Sequence, residues 1–90
     1  MKDILIEGHR ILTTDEVADA VIDYARVLHD RGSSDIVEFP SIHDGQLSRC
    51  SVLLGSGPLA VIEAPVEIPA AVLGADRACA EIVRRADALR

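Results

Sequence analysis

The sequence predicts an α+β fold, a two-layer sandwich of element order β-β-α-β-β-β-α, with a mainly antiparallel sheet and two helices in one domain over 1–90. Three observations lead there. Short apolar runs are separated by turn signals at Asp44-Gly45 and Gly55-Ser56-Gly57-Pro58. Apolar residues recur at helical spacing after Thr14 and again after Gly74. A chain of 90 residues has room for one core only. The centre of the expected fold is a three-stranded meander over 35–64, the floor on which the rest is laid.

The first strand is expected over Asp3–Glu7, with a return through Arg10–Thr13. Gly8-His9 suits a two-residue turn, which pairs Ile6 with Ile11 and Leu5 with Leu12; one long strand kinked at Gly8 is the alternative. The first helix follows, with Thr13 as N-cap and Glu16 three residues on as a capping box, and a start within a residue of Thr14. Val17, Val21, Tyr24 and Leu28 form its apolar stripe, and Gly32 stands where a left-handed residue ends a helix. Asp15, Asp19 and Asp23 lie on another face. A helix splays its carboxylates, whereas a hard cation needs oxygens converging from a shaped loop, so the row reads as a solvated acidic face.

If Asp44-Gly45 is a two-residue turn, Phe39 pairs with Cys50 and Val37 with Val52, and Leu54 shares their face by parity. That face is the expected core. The opposite face receives Ile36 with Leu53 and Ile42 with Leu47, and the meander's third strand adds Ile62 beside Ser51. Five aliphatic residues on an outward face rarely stay in water on a monomer. Ile36, Ile42, Leu47, Leu53 and Ile62 are therefore the expected interface, covered either by the last helix or by another subunit.

Gly55-Ser56-Gly57-Pro58 does not read as a phosphate loop, because a strand follows it where a helix N-terminus is required and Pro58 removes an amide. Residues 64–69 read as an extended connection carrying Pro65 and Pro69. The last helix is expected to begin between Gly74 and Asp76 and to run to about Leu89, with a stripe of Ala75, Ala78, Cys79, Ile82, Ala86 and Leu89.

Composition narrows the function. The chain carries a net charge of −6 and an isoelectric point near 4.8, with mean hydropathy +0.24 and only 2% aromatic residues. Acidity repels a phosphate backbone and the lack of aromatics leaves no stacking platform, so no nucleic-acid partner is expected. Arg77, Arg84, Arg85 and Arg90 make a local basic bias, read as cations near the C-terminus of the last helix. No apolar run suggests a membrane span, and Ile4-Leu5-Ile6 is broken by Glu7, so no signal peptide and no membrane partner are expected. Two cysteines do not make a disulfide framework, and a cytoplasmic location is the default.

No metal and no cofactor are expected, since His9, His29 and His43 have no ligand spacing. Ser41, His43 and Asp44 crowd one hairpin instead of arriving from separate elements as a catalytic triad does. Cys50 and Cys79 read as packed thiols. Glu63 breaks the pattern: the meander places it opposite Cys50 on the core face, where an unpaired carboxylate is costly. Either the strand bulges or ends at Ile62 and turns Glu63 to solvent, or Glu63 pairs with an arginine such as Arg49 or Arg77. The second option makes Glu63, Cys50 and Arg77 candidate ligand-binding residues.

From Thr14 to Arg90 the order helix, three strands, helix is shared with double-stranded RNA-binding domains. Those domains need a basic cluster at the start of the last helix, and Gly74-Ala75-Asp76-Arg77-Ala78 offers one arginine beside an aspartate, so that function is rejected. The functional expectation is a non-catalytic protein-protein interaction module that homodimerises through the apolar sheet face or the C-terminal helix. The alternative is a small-ligand-binding or enzymatic domain with its pocket near Glu63, Cys50 and Arg77.

Overall fold

The computed structural model describes residues 1–66 and 72–90. It contains β1 (Lys2–Ile6), β2 (His9–Thr13), α1 (Asp15–Asp30), β3 (Asp35–His43), β4 (Gln46–Leu54), β5 (Leu59–Glu63) and α2 (Ala75–Leu89). Element types and order are those expected from the sequence. All strand pairs are antiparallel in one five-stranded sheet, and the helices form the second layer.

The sheet order is β4-β3-β2-β1-β5, which corrects the meander. β3 and β4 pair in the register that Asp44-Gly45 dictates, with Val37 on Val52 and Phe39 on Cys50. Asp44 and Gly45 both take positive φ, 50° and 77°, as a tight mirror-image turn demands. β5, however, does not return along β4. It crosses to β1, placing Ile4 against Val61 and Lys2 against Glu63. Two effects favour this edge. Pairing there puts apolar β1 between two neighbours, and it removes Glu63 from the core position beside Cys50 that a meander would force on it.

β4 and β5 are the two outer strands, yet only four residues, Gly55 to Pro58, lie between them. In a flat sheet those edges stand about 19 Å apart at ~4.8 Å per strand. Five residue steps reach at most about 18 Å fully extended, so the sheet has to coil. The coil is released between β2 and β3, which share one paired position, Leu12 with Ile42. Pro40 helps to end that ladder, having no N–H to give β2, and its carbonyl accepts instead from the buried Thr13 hydroxyl at 2.8 Å. Gly55 sits at the other end of the coil, against the C-terminal turn of α1.

Local boundaries differ from expectation in two places. The β1–β2 turn is Glu7-Gly8, both at positive φ (48° and 81°), so Ile4 faces Ile11 and the register is two residues from the expected one. Even-numbered slippage keeps each side chain on its face, which is why the predicted faces survive. The α1 cap is Thr14, not Thr13: its Oγ1 accepts from the Val17 amide at 3.2 Å, and the third helical residue is a valine, so no capping box closes. Thr13 is held in β2 opposite Lys2 and cannot serve. At the far end Gly32 (φ 65°) donates to the His29 carbonyl at 3.1 Å and Ser33 to the Leu28 carbonyl at 2.9 Å, closing the helix as the glycine predicts.

The core joins Ile4, Phe39, Val37, Val52 and Leu54 of the sheet to Val17, Val21, Tyr24 and Leu28 of α1 and to Ile82 and Ala86 of α2. α2 begins at Ala75 as expected, and its buried stripe packs on α1 and β3. Pro69, at the end of the extended connection expected over 64–69, lies outside the described residues.

One polar cluster ties the layers. The Tyr24 hydroxyl donates to Asp35 Oδ2 at 2.6 Å, and Arg85 donates to the same oxygen at 3.1 Å and to the Ile36 carbonyl at 3.0 Å. Arg85 also pairs with Glu81 at 2.7 Å. Burial, and then the hydrogen bond to the Asp35 carboxylate, push Tyr24 up to about 12. The Tyr24 hydroxyl is likewise the main reason that Asp35 lies below the usual carboxylate range, reinforced by the Ile36 amide and Arg85.

These features make two predictions. A Cβ on Gly55, already at φ 97°, would collide with the Ser33 carbonyl oxygen. Gly55→Ala is expected to cost about 3 kcal/mol in urea unfolding, and Gly57→Ala, which meets nothing closer than 3.5 Å, less than about 1 kcal/mol. Because Tyr24 has its folded pKa raised above the unfolded value near 10, its contribution is complete below pH ~10 and is lost as pH rises through about 12. The chain has one tyrosine and no tryptophan, so phenolate absorbance reads this titration directly. Tyr24→Phe is expected to remove that alkaline loss and to lower stability near neutral pH by about 1 kcal/mol.

Candidate functional site

Strand alternation on β3 and β4 separates two faces sharply. Val37, Phe39, Val52 and Leu54 are buried under the helices, whereas Ile36 is 59% exposed, Leu47 52% and Leu53 50%. Ile36 and Leu53 are direct cross-strand partners, and so are Ile42 and Leu47. Ile42 is half-buried because it borders Leu12 at the junction with β2. Between the two aliphatic pairs lie Glu38 and Arg49, whose charges approach at 3.6 Å. This outward face therefore carries one acid and one base and no net charge, on a chain of net charge −6.

The last helix borders this face without covering it: Asp76, Arg77 and Arg85 share a groove with Ile36, Glu38, Leu47 and Arg49, and Ile36, Leu47 and Leu53 stay exposed. α2 lies in the same layer as α1, its stripe already used in the core, and of its arginines Arg84 and Arg85 pair with Glu81, and Arg90 with Asp87 and Asp23. Ile62 is 49% exposed but stands on β5, beside Asp3, at the opposite edge of the sheet from Leu47 and Leu53. The pairing of β5 with β1 thus removes it from the group with which a meander would place it.

The three ligand-binding candidates are not brought together. Glu63 ends β5, exposed, in register with Lys2. Arg77 is exposed on the first turn of α2. Cys50 is half-buried in β4, where burial pushes its thiol above the ordinary range, against a smaller opposing effect of the Ser41 hydroxyl. Cys79 is also pushed up by burial and by nearby carboxylates, beginning with Glu16.

Cys50 instead lines a cleft of about 540 Å³ between the β1–β2 hairpin and β4. Its floor continues through Ser41 and Ser48, cross-strand partners on the helix-side face of the ribbon. His9, Arg10 and His43 also line it. This cleft has a sequence signal: the parity that buries Phe39 and Val37 also turns Ser41 and Ser48 inward, a polar pair at the end of an apolar face.

The acidic row of α1 is engaged in ion pairs. Asp19 holds Lys2 at 2.8 Å, and Asp23 pairs with Arg26 and Arg90, the hydrogen bond from Arg90 being the main cause of its lowered pKa. Among the described residues no three potential ligands gather around a metal-sized space, and no helix is long and apolar enough to cross a membrane. Set against protein-family models, characterised proteins and solved structures, the chain matches none.

The thiol environments predict low reactivity. Cys50 and Cys79 are expected to be alkylated by iodoacetamide at neutral pH more slowly than free cysteine, because less thiolate is present. Mass spectrometry of a time course measures both sites, and a rate above that of free cysteine at Cys50 contradicts the assignment.

Proposed function

We propose that the protein is a non-catalytic interaction module that pairs with a second copy of itself through the outward face of the β3–β4 ribbon. The observation that carries this reading is the exposure of Ile36, Leu47 and Leu53 on one face. Charge is compatible with a second copy as the occupant: on a chain of net charge −6 this face holds Glu38 and Arg49 in balance, so the contact itself brings no like charges together. A two-fold axis through the ribbon sets Glu38 of one copy near Arg49 of the other and stacks the two sheets about 10 Å apart.

Area limits the strength of the pairing. Two nine-residue strands present about 300 Å² in projection, at ~4.8 Å per strand and ~3.3 Å per residue. That is below the ~800 Å² per partner of a standard interface, so a weak dimer is expected, with a Kd in the micromolar range or above. Sedimentation velocity from about 10 µM upward is expected to show a concentration-dependent shift from monomer to dimer. Leu53→Asp is expected to abolish the shift and leave the melting temperature of the monomer nearly unchanged, since the side chain is half exposed. A wild-type monomer throughout that range defeats the proposal.

A further inference from the structure

We infer that the cleft between the β1–β2 hairpin and β4 is a binding site for a small organic anion with an apolar body, such as a short-chain carboxylate. The inference does not rest on dimerisation: the cleft floor of Ser41, Ser48 and Cys50 lies on the opposite face of the ribbon from Ile36 and Leu47, while Ile42, Arg49, Ser51 and Leu53 of the outward face border it. At about 540 Å³ the cleft has the size of ordinary small-molecule sites. Its walls combine the two kinds of surface such a ligand needs. Ile6 and Ile11 supply apolar contact, and the Ser41, Ser48 and Cys50 side chains supply a small polar floor.

The charge of the lining runs against that of the chain. Arg10 and Arg49 line the cleft together with His9 and His43, and Glu7 is the sole acidic residue among its lining residues. The whole molecule carries −6. Both arginines have carboxylate neighbours, but at distances that leave their donors available: Arg10 to Asp3 at 3.7 Å and Arg49 to Glu38 at 3.6 Å. A tight guanidinium–carboxylate hydrogen bond is about 2.8 Å long. The guanidinium groups are therefore free to turn toward an anion at the rim, while the ligand's hydrocarbon part lies against the isoleucines. The raised pKa of the Cys50 thiol fits a floor that contacts ligand without reacting with it.

The test is a titration of the full chain, isotopically labelled, followed by amide chemical shifts, with hexanoate and with hexanol as its neutral counterpart. Hexanoate is expected to shift the amides of Ser41, Ser48 and Cys50 and to saturate, and hexanol to bind about tenfold more weakly. Arg10→Gln is expected to raise the hexanoate dissociation constant about threefold, the scale of an exposed charge. Ser48→Leu fills the floor and is expected to abolish binding while its spectrum stays dispersed. Equal affinity for the two probes, shifts confined to Ile36 and Leu47, or unchanged binding by a folded Ser48→Leu variant each overturns the inference.

Discussion

The structure depends on a geometric constraint: four residues must join the two outermost strands of a five-stranded sheet. Only a coiled sheet satisfies it, and coiling has consequences on both sides. The single paired position between β2 and β3 lets the β3–β4 ribbon swing away from the other three strands, with Pro40 contributing by its missing donor. Between the ribbon and the β1–β2 hairpin a cleft opens that the two helices do not fill. Gly55 fixes the geometry at the point of departure, since its backbone lies against Ser33 and Leu28 too closely for any side chain.

Features governed by neighbours in sequence were legible without coordinates. Asp44-Gly45 fixes the β3–β4 register because a two-residue turn at positive φ leaves no freedom in the pairing that follows. Gly32 ends α1 for the same local reason. The errors arise where distant parts compete. Nothing in Leu59–Glu63 specifies which strand edge it joins, and a short glycine-rich link looks the same whether it turns back or crosses over. The misfit of Glu63 in a meander marked the problem. Its resolution lay in the choice of β1 as partner, which is a property of the whole sheet. Thr13 and Thr14 are equivalent caps by type, and only the strand pairing of Thr13 with Lys2 decides between them.

The outward apolar face was legible by the same rule of alternation, because parity on a strand survives any rearrangement of its neighbours. Grouping is another matter. Ile62 is exposed as an outward residue should be, but it stands at the opposite edge from Leu47 and Leu53, and Glu63, Cys50 and Arg77 are dispersed over two strands and a helix. The Ser41–Ser48 pair was available in the sequence as a polar interruption of an inward face. The cleft above it was not, since it exists only through the coil.

The pairing of β1 with β5 has a further meaning for how the chain acquires its shape. Both hairpins and both helices form from residues close in sequence, but the partner of Lys2 is Glu63, so this edge closes only after most of the chain has been laid down. Such non-local pairing carries a loop-closure cost that local structure does not repay until docking, and it slows folding relative to a helical domain of equal size. β1 is the strand left waiting. Until β5 docks, β1 has an edge of unpaired backbone groups, the kind of edge that another chain can also pair with.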